Sequence, residues 1–123
     1  MKFQLMQIRL TDDEVDAINE AQDHGVIPKN KMRIAMQMDF SGSKTAKIAG
    51  EALSKGFYSH VANIEANDLD EVFEIGNIGP ESAIERFSRM SSVSVGDVIV
   101  DEEGNASVVA SFGFEGIDNV YNS

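Results

Sequence analysis

Asn30-Lys31-Met32-Arg33-Ile34-Ala35-Met36-Gln37-Met38-Asp39-Phe40 alternates between apolar and polar side chains. Met32, Ile34, Met36, Met38 and Phe40 recur at every second position, with Lys31, Arg33, Ala35, Gln37 and Asp39 between them. A period of two belongs to a strand with one face in the core and one in water. The spacing therefore predicts a half-buried strand over 30–40. With that strand in place, strands and helices alternate through the first half of the chain. Met32, Met36 and Met38 then read as core residues on one strand face.

Upstream, Phe3 to Leu10 reads as a strand. Thr11-Asp12-Asp13-Glu14 is a capping box, in which the threonine hydroxyl and the glutamate each satisfy a backbone N–H of the other. A helix is predicted from there to about His24, with Val15 and Ile18 inward, Gly25 as its left-handed stop and Pro28 barring continuation. Downstream, Ser41-Gly42-Ser43 is a turn, with Ser43 as the N-cap of a helix that runs to about Lys55. Phe57 to Glu65 reads as a third strand. Asn67 caps a short acidic helix from Asp68 to about Ile75. Pro80 suits the first position of a further helix to about Met90, and Ser91 to Val95 is a loop. Asp97–Asp101 and Ala106–Phe112 read as strands around the hairpin turn Glu102-Glu103-Gly104-Asn105. The tail from Glu115 orders only if Ile117, Val120 or Tyr121 docks.

The order β-α-β-α-β-α-α-β-β predicts an α+β fold, with a mixed sheet partly covered by helices. At 123 residues the chain is of single-domain size. The expected domain spans 1–123, with 118–123 as a flexible tail. There is no cysteine, which excludes disulfides, thiolate metal sites and cysteine nucleophiles. No secretory signal and no spanning segment is read, so the expected location is intracellular.

Charge is lopsided. Residues 1–64 carry 8 acidic and 8 basic side chains; residues 65–123 carry 13 acidic side chains against only Arg86 and Arg89, which places the whole net charge of −11 in the second half. Such a surface repels nucleic acid and anionic membrane. It reads either as a solvated acidic face or as a surface for a basic partner. The cluster Glu65, Asp68, Asp70, Glu71, Glu74, Glu81 and Glu85 is its centre, and Asp68, Asp70, Glu71, Glu74, Glu81 and Glu85 are the expected partner-binding residues.

Signs of chemistry are few. His24 reads as a C-terminal helix cation and His60 as a strand residue. Gly42-Ser43-Lys44-Thr45 lacks the glycine spacing of a phosphate loop and reads as a capped helix start. Asp101 to Asn105 lacks the ligand spacing of a calcium loop. No catalytic residue, cofactor or metal is assigned. If the chain were a metal-dependent enzyme, its ligands would be His60 with Asp68 or Asp70.

One set of segments points further. His60-Val61-Ala62-Asn63-Ile64, then Asp68-Leu69-Asp70-Glu71-Val72-Phe73-Glu74-Ile75-Gly76-Asn77, Ser91-Ser92-Val93-Ser94-Val95-Gly96-Asp97-Val98-Ile99-Val100 and Val109-Ala110-Ser111-Phe112-Gly113-Phe114 together resemble the YodL-like domain family of bacteriophages, prophages and conjugative elements. The resemblance covers about residues 58–117; Ala110 departs from it, standing where the family often has aspartate. It implies an accessory role for a mobile element, acting on host components; with the acidic second half, the expected partner is a host protein with a basic surface, met in the host cytoplasm. Inhibition of that protein, mimicry of DNA, a small metal-dependent activity and a place in the virion are the alternatives.

Overall fold

The computed structural model describes residues 1–117. Its elements are β1 (Lys2–Gln7), α1 (Asp12–Ala21), α2 (Pro28–Gln37), α3 (Thr45–Ser54), β2 (Ser59–Glu65), α4 (Leu69–Ile78), a 3₁₀ turn (Glu81–Ala83), β3 (Ile84–Arg86), β4 (Val98–Val100), β5 (Ala106–Ala110) and β6 (Gly113–Ile117). The strands form one sheet in the order β3-β2-β1-β4-β5-β6. The fold is α+β, as the pattern implied.

Several expectations change. The stretch 30–40 is no strand: Pro28–Gln37 is helical, with Pro28 at its first turn. Its buried and half-buried positions, Lys29, Asn30, Met32, Arg33, Ile34 and Met36, follow the helical repeat. Met36 is fully buried, whereas Met38 and Phe40 lie beyond the helix, 61% and 70% exposed. The inner face also carries bonded polar groups. The buried Asn30 donates Nδ2–H to the His24 carbonyl at 2.9 Å and accepts from Arg33 Nη2 at 2.7 Å.

Pro80 to Met90 is not a helix either. Ile84, Glu85 and Arg86 pair with Ile64, Asn63 and Ala62, closing the outer edge of β2. Nor is the sheet mixed, for every strand pair is antiparallel. Without a strand at 30–40, no parallel crossover is needed. The hairpin at Glu102–Asn105 forms as expected between β4 and β5. Beyond it Gly113–Ile117 adds a strand, so Glu115 and Ile117 lie in the sheet rather than in a tail. Val120, Tyr121 and the tail expected at 118–123 lie outside the described residues.

The sheet buries both faces. Phe3, Leu5, Ile64, Ile99 and Val109 pack on one side with Val72 and Ile75 of α4. Val98, Val100 and Val108 pack on the other with Met36 of α2 and Ala49 and Ala52 of α3. Small residues let α3 lie close to the strands.

Two helix ends differ in their caps. At α1 the capping box forms as read, with Glu14 N–H donating to Thr11 Oγ1 at 3.2 Å and Thr11 N–H to Glu14 Oε1 at 2.8 Å. That helix stops earlier than expected, at Gln22 in the left-handed region (φ 55°), leaving His24 and Gly25 in the following turn. At α3 the cap is not Ser43 but Asp39. Its Oδ2 accepts Lys44 N–H at 2.8 Å and the Thr45 hydroxyl at 2.9 Å. These bonds hold the Asp39 carboxyl below its ordinary pKa. The anion seat at this helix start is thus filled from within, and no phosphate-loop chemistry remains there. Asp39→Ala should lower the Tm by a few degrees at pH 7 and by less at pH 3. A depressed pKa stabilises above the ordinary value and is lost as pH falls through the native one. Thermal melts at the two pH values check this.

Candidate binding surface

Helix α4 and its cap carry four of the six expected partner-binding residues. Its cap is Asp68, not Asn67: Asp68 Oδ1 accepts Glu71 N–H at 2.8 Å. Asp70 and Glu71 lie in the first turn, where the positive end of the helix favours them. Val72 and Ile75 turn into the core, and Asp70, Phe73 and Glu74 are exposed.

Glu81 and Glu85 do not extend this helix as a common face. Glu81 sits in the 3₁₀ turn and pairs with Arg86, which lowers its pKa. Glu85 lies on β3 and faces Asn63, which donates Nδ2–H to it at 3.4 Å. His60 is not brought to Asp68 or Asp70. Its ring packs edge-on against Phe87 at 5.0 Å, and its Nε2 lies 2.7 Å from Asn63 Oδ1. Among the described residues no three His, Asp or Glu side chains gather as a metal site. Among them, too, no helix is long and apolar enough to cross a membrane.

Beside α4 opens a groove of about 480 Å³ that the sequence did not announce. Phe73 forms one wall; Val93 and Val95, Val109 and Ala110, and Phe114 form the others, and Asp70 stands at the rim. Phe73 and Phe114 meet edge to face at 6.5 Å. Phe112, at the turn between β5 and β6, is 83% exposed. The spacing of Val93 and Val95, with Phe112 and Phe114, was the available signal.

The loop wall is held from beneath. Asp97 Oδ2 accepts Ser94 N–H and Gln7 Nε2–H, both at 3.0 Å. Gln7 also accepts Ser91 N–H at 3.0 Å and donates to the Ser91 carbonyl at 2.9 Å. Val109 N–H donates to the Asp97 carbonyl at 2.9 Å. Residues 91–97 are therefore tied to β1 and β5 although they form no regular structure. Burial pushes the Asp97 carboxyl up to about 6, against the pull of these donors and of Arg33 and Arg9. Tyr58 donates its hydroxyl to the Gly96 carbonyl at 2.5 Å, and burial, then the nearby Asp97, raises its pKa.

Comparison with protein-family models, with curated proteins and with solved structures finds no match to the chain in any of the three.

Proposed function

We propose that the chain is a non-catalytic binding protein that seats a basic protein partner on α4 and the groove beside it. The observation that carries this reading is the juxtaposition. An apolar groove walled by Phe73, Val93, Val109 and Phe114 opens next to the exposed carboxylates Asp70 and Glu74. Apolar walls supply affinity through burial, and neighbouring charge speeds and orients encounter. The segments that resemble the YodL-like family include α4 and three walls of this groove. On that resemblance the partner is a host protein, met in the host cytoplasm, whose activity the chain modulates or inhibits.

The test is capture from bacterial lysate at low and high salt, followed by kinetics on the recovered partner. Asp70→Lys with Glu71→Lys should slow association about tenfold or more at low salt and change dissociation little. Phe73→Ala should instead speed dissociation. If neither variant alters binding, the surface lies elsewhere. If duplex DNA competes for the same partner, the carboxylates act as phosphate mimics, and simple inhibition is replaced by that reading.

A further inference from the structure

A second cavity carries the opposite charge. A cleft of about 320 Å³ is lined by Arg9, Lys29 and Arg89 together with Leu10 and the hydroxyl-bearing residues Thr11, Ser59 and Ser88. Three of the chain's 10 basic residues and none of its 21 acidic ones line it, on a molecule of net charge −11. We propose that this cleft binds a small phosphorylated molecule.

Distant parts of the chain build it: the exit of β1, the first turn of α2, the start of β2 and the loop after β3. Phe87 and Ser88 both donate N–H to the Val61 carbonyl, at 2.9 and 3.3 Å, which clamps the Arg89 loop against β2. Two of the cations are held from behind. Lys29 Nζ lies 2.7 Å from Glu14 Oε1. Arg9 donates to Ser91 Oγ. Among the described residues Arg89 makes no ion pair. The surplus positive charge thus rests on a guanidinium, the side chain whose planar fork matches phosphate oxygens. Asp12 and Asp13 follow Thr11 in sequence but do not line the cleft. The volume sits at the lower end of the range for small-ligand sites. Hydroxyls add donors that a tetrahedral oxyanion takes at several angles. The α3 helix start offers no competing seat, because Asp39 fills it.

The test is a titration of the full chain with sodium pyrophosphate at low ionic strength, followed by amide ¹H–¹⁵N spectra. The amides of Arg9, Ser59, Ser88 and Arg89 should shift and saturate with a Kd of about 1 mM or below. Arg89→Gln should weaken binding about tenfold or more. Ser59→Ala should weaken it about threefold, and Lys47→Gln on the exposed face of α3 should not change it. Shifts still climbing linearly at about 10 mM would overturn the proposal. So would equal affinity in Arg89→Gln. Citrate binding as tightly as pyrophosphate would overturn the phosphoryl assignment, since it shares the charge and not the oxygen geometry. None of these outcomes depends on the α4 surface.

Discussion

Asp97→Asn should stabilise the protein by about 1–2 kcal/mol at pH 7.5 and flatten its stability between pH 4 and 7. The native carboxyl titrates near 6, against an ordinary value of 3.8. Its raised pKa means that the folded chain holds the proton more tightly than the unfolded one. That contribution is complete below the ordinary value and is lost as pH rises through about 6, a difference on the order of 3 kcal/mol. Asparagine keeps a carbonyl oxygen for Ser94 N–H and Gln7 Nε2–H and removes the buried charge. Its amide hydrogens then need acceptors where Asp97 had none to satisfy, which reduces the gain. Denaturant melts at pH 4.5, 6 and 7.5 check the slope. A variant less stable than the parent at pH 7.5 would mean that the pull of Arg9 and Arg33, together with the unpaired amide hydrogens, outweighs the burial of the charge.

Gly76→Ala should destabilise the fold by about 1–2 kcal/mol, although alanine is the better helix former by about 1 kcal/mol. A Cβ at Gly76 meets Val93 Cγ2 inside contact distance and lies 3.2 Å from Val93 Cβ. Val93 is 2% exposed and has little freedom to turn aside. The loop must then lift from α4, carrying the Val93 wall of the groove with it. Gly76→Ala with Val93→Ala should recover part of the loss relative to the sum of the two single changes. Strict additivity in that cycle would show that the two positions do not touch. Either single change should also weaken partner binding at the groove.

Much of this architecture was legible where local chemistry and packing agree. The Thr11 capping box, the hairpin at Glu102–Asn105 and the inward Leu69 and Val72 of α4 are local signals that tertiary contacts reinforce, whereas Phe73, whose spacing also reads as inward, is exposed and walls the groove. The failure at 30–40 is equally specific. Met32, Ile34, Met36, Met38 and Phe40 imitate a strand, but α2 buries Asn30 and half-buries Arg33, while Met38 and Phe40 stay in solvent. A hydrophobicity pattern cannot recognise an inner face that sets the buried Asn30 and half-buried Arg33 beside Met36. Composition held the better clue, since within Asn30–Gln37 only Ile34 is β-branched and Pro28 stands at a favoured helix start. At Pro80–Met90, Ala83, Ile84 and Phe87 have helical spacing, yet β2 needed an edge partner. On the proposed surface, the acidity of α4 was plain. The groove was not, because its walls come from α4, the 91–97 loop and the β5–β6 hairpin.

The strand order also determines when this protein can fold during its own synthesis. β1 lies inside the sheet, yet both of its neighbours come later in the chain: Leu5 faces Ala62 on one side and Ile99 on the other. A ribosome adding roughly 5–20 residues per second makes Ile99 some 5–20 s after Leu5. Throughout that interval Phe3 and Leu5 have no complete sheet to join. The nascent chain can pair β1 with β2 about halfway through, but must carry the other edge of this inner strand unpaired until β4 has been made.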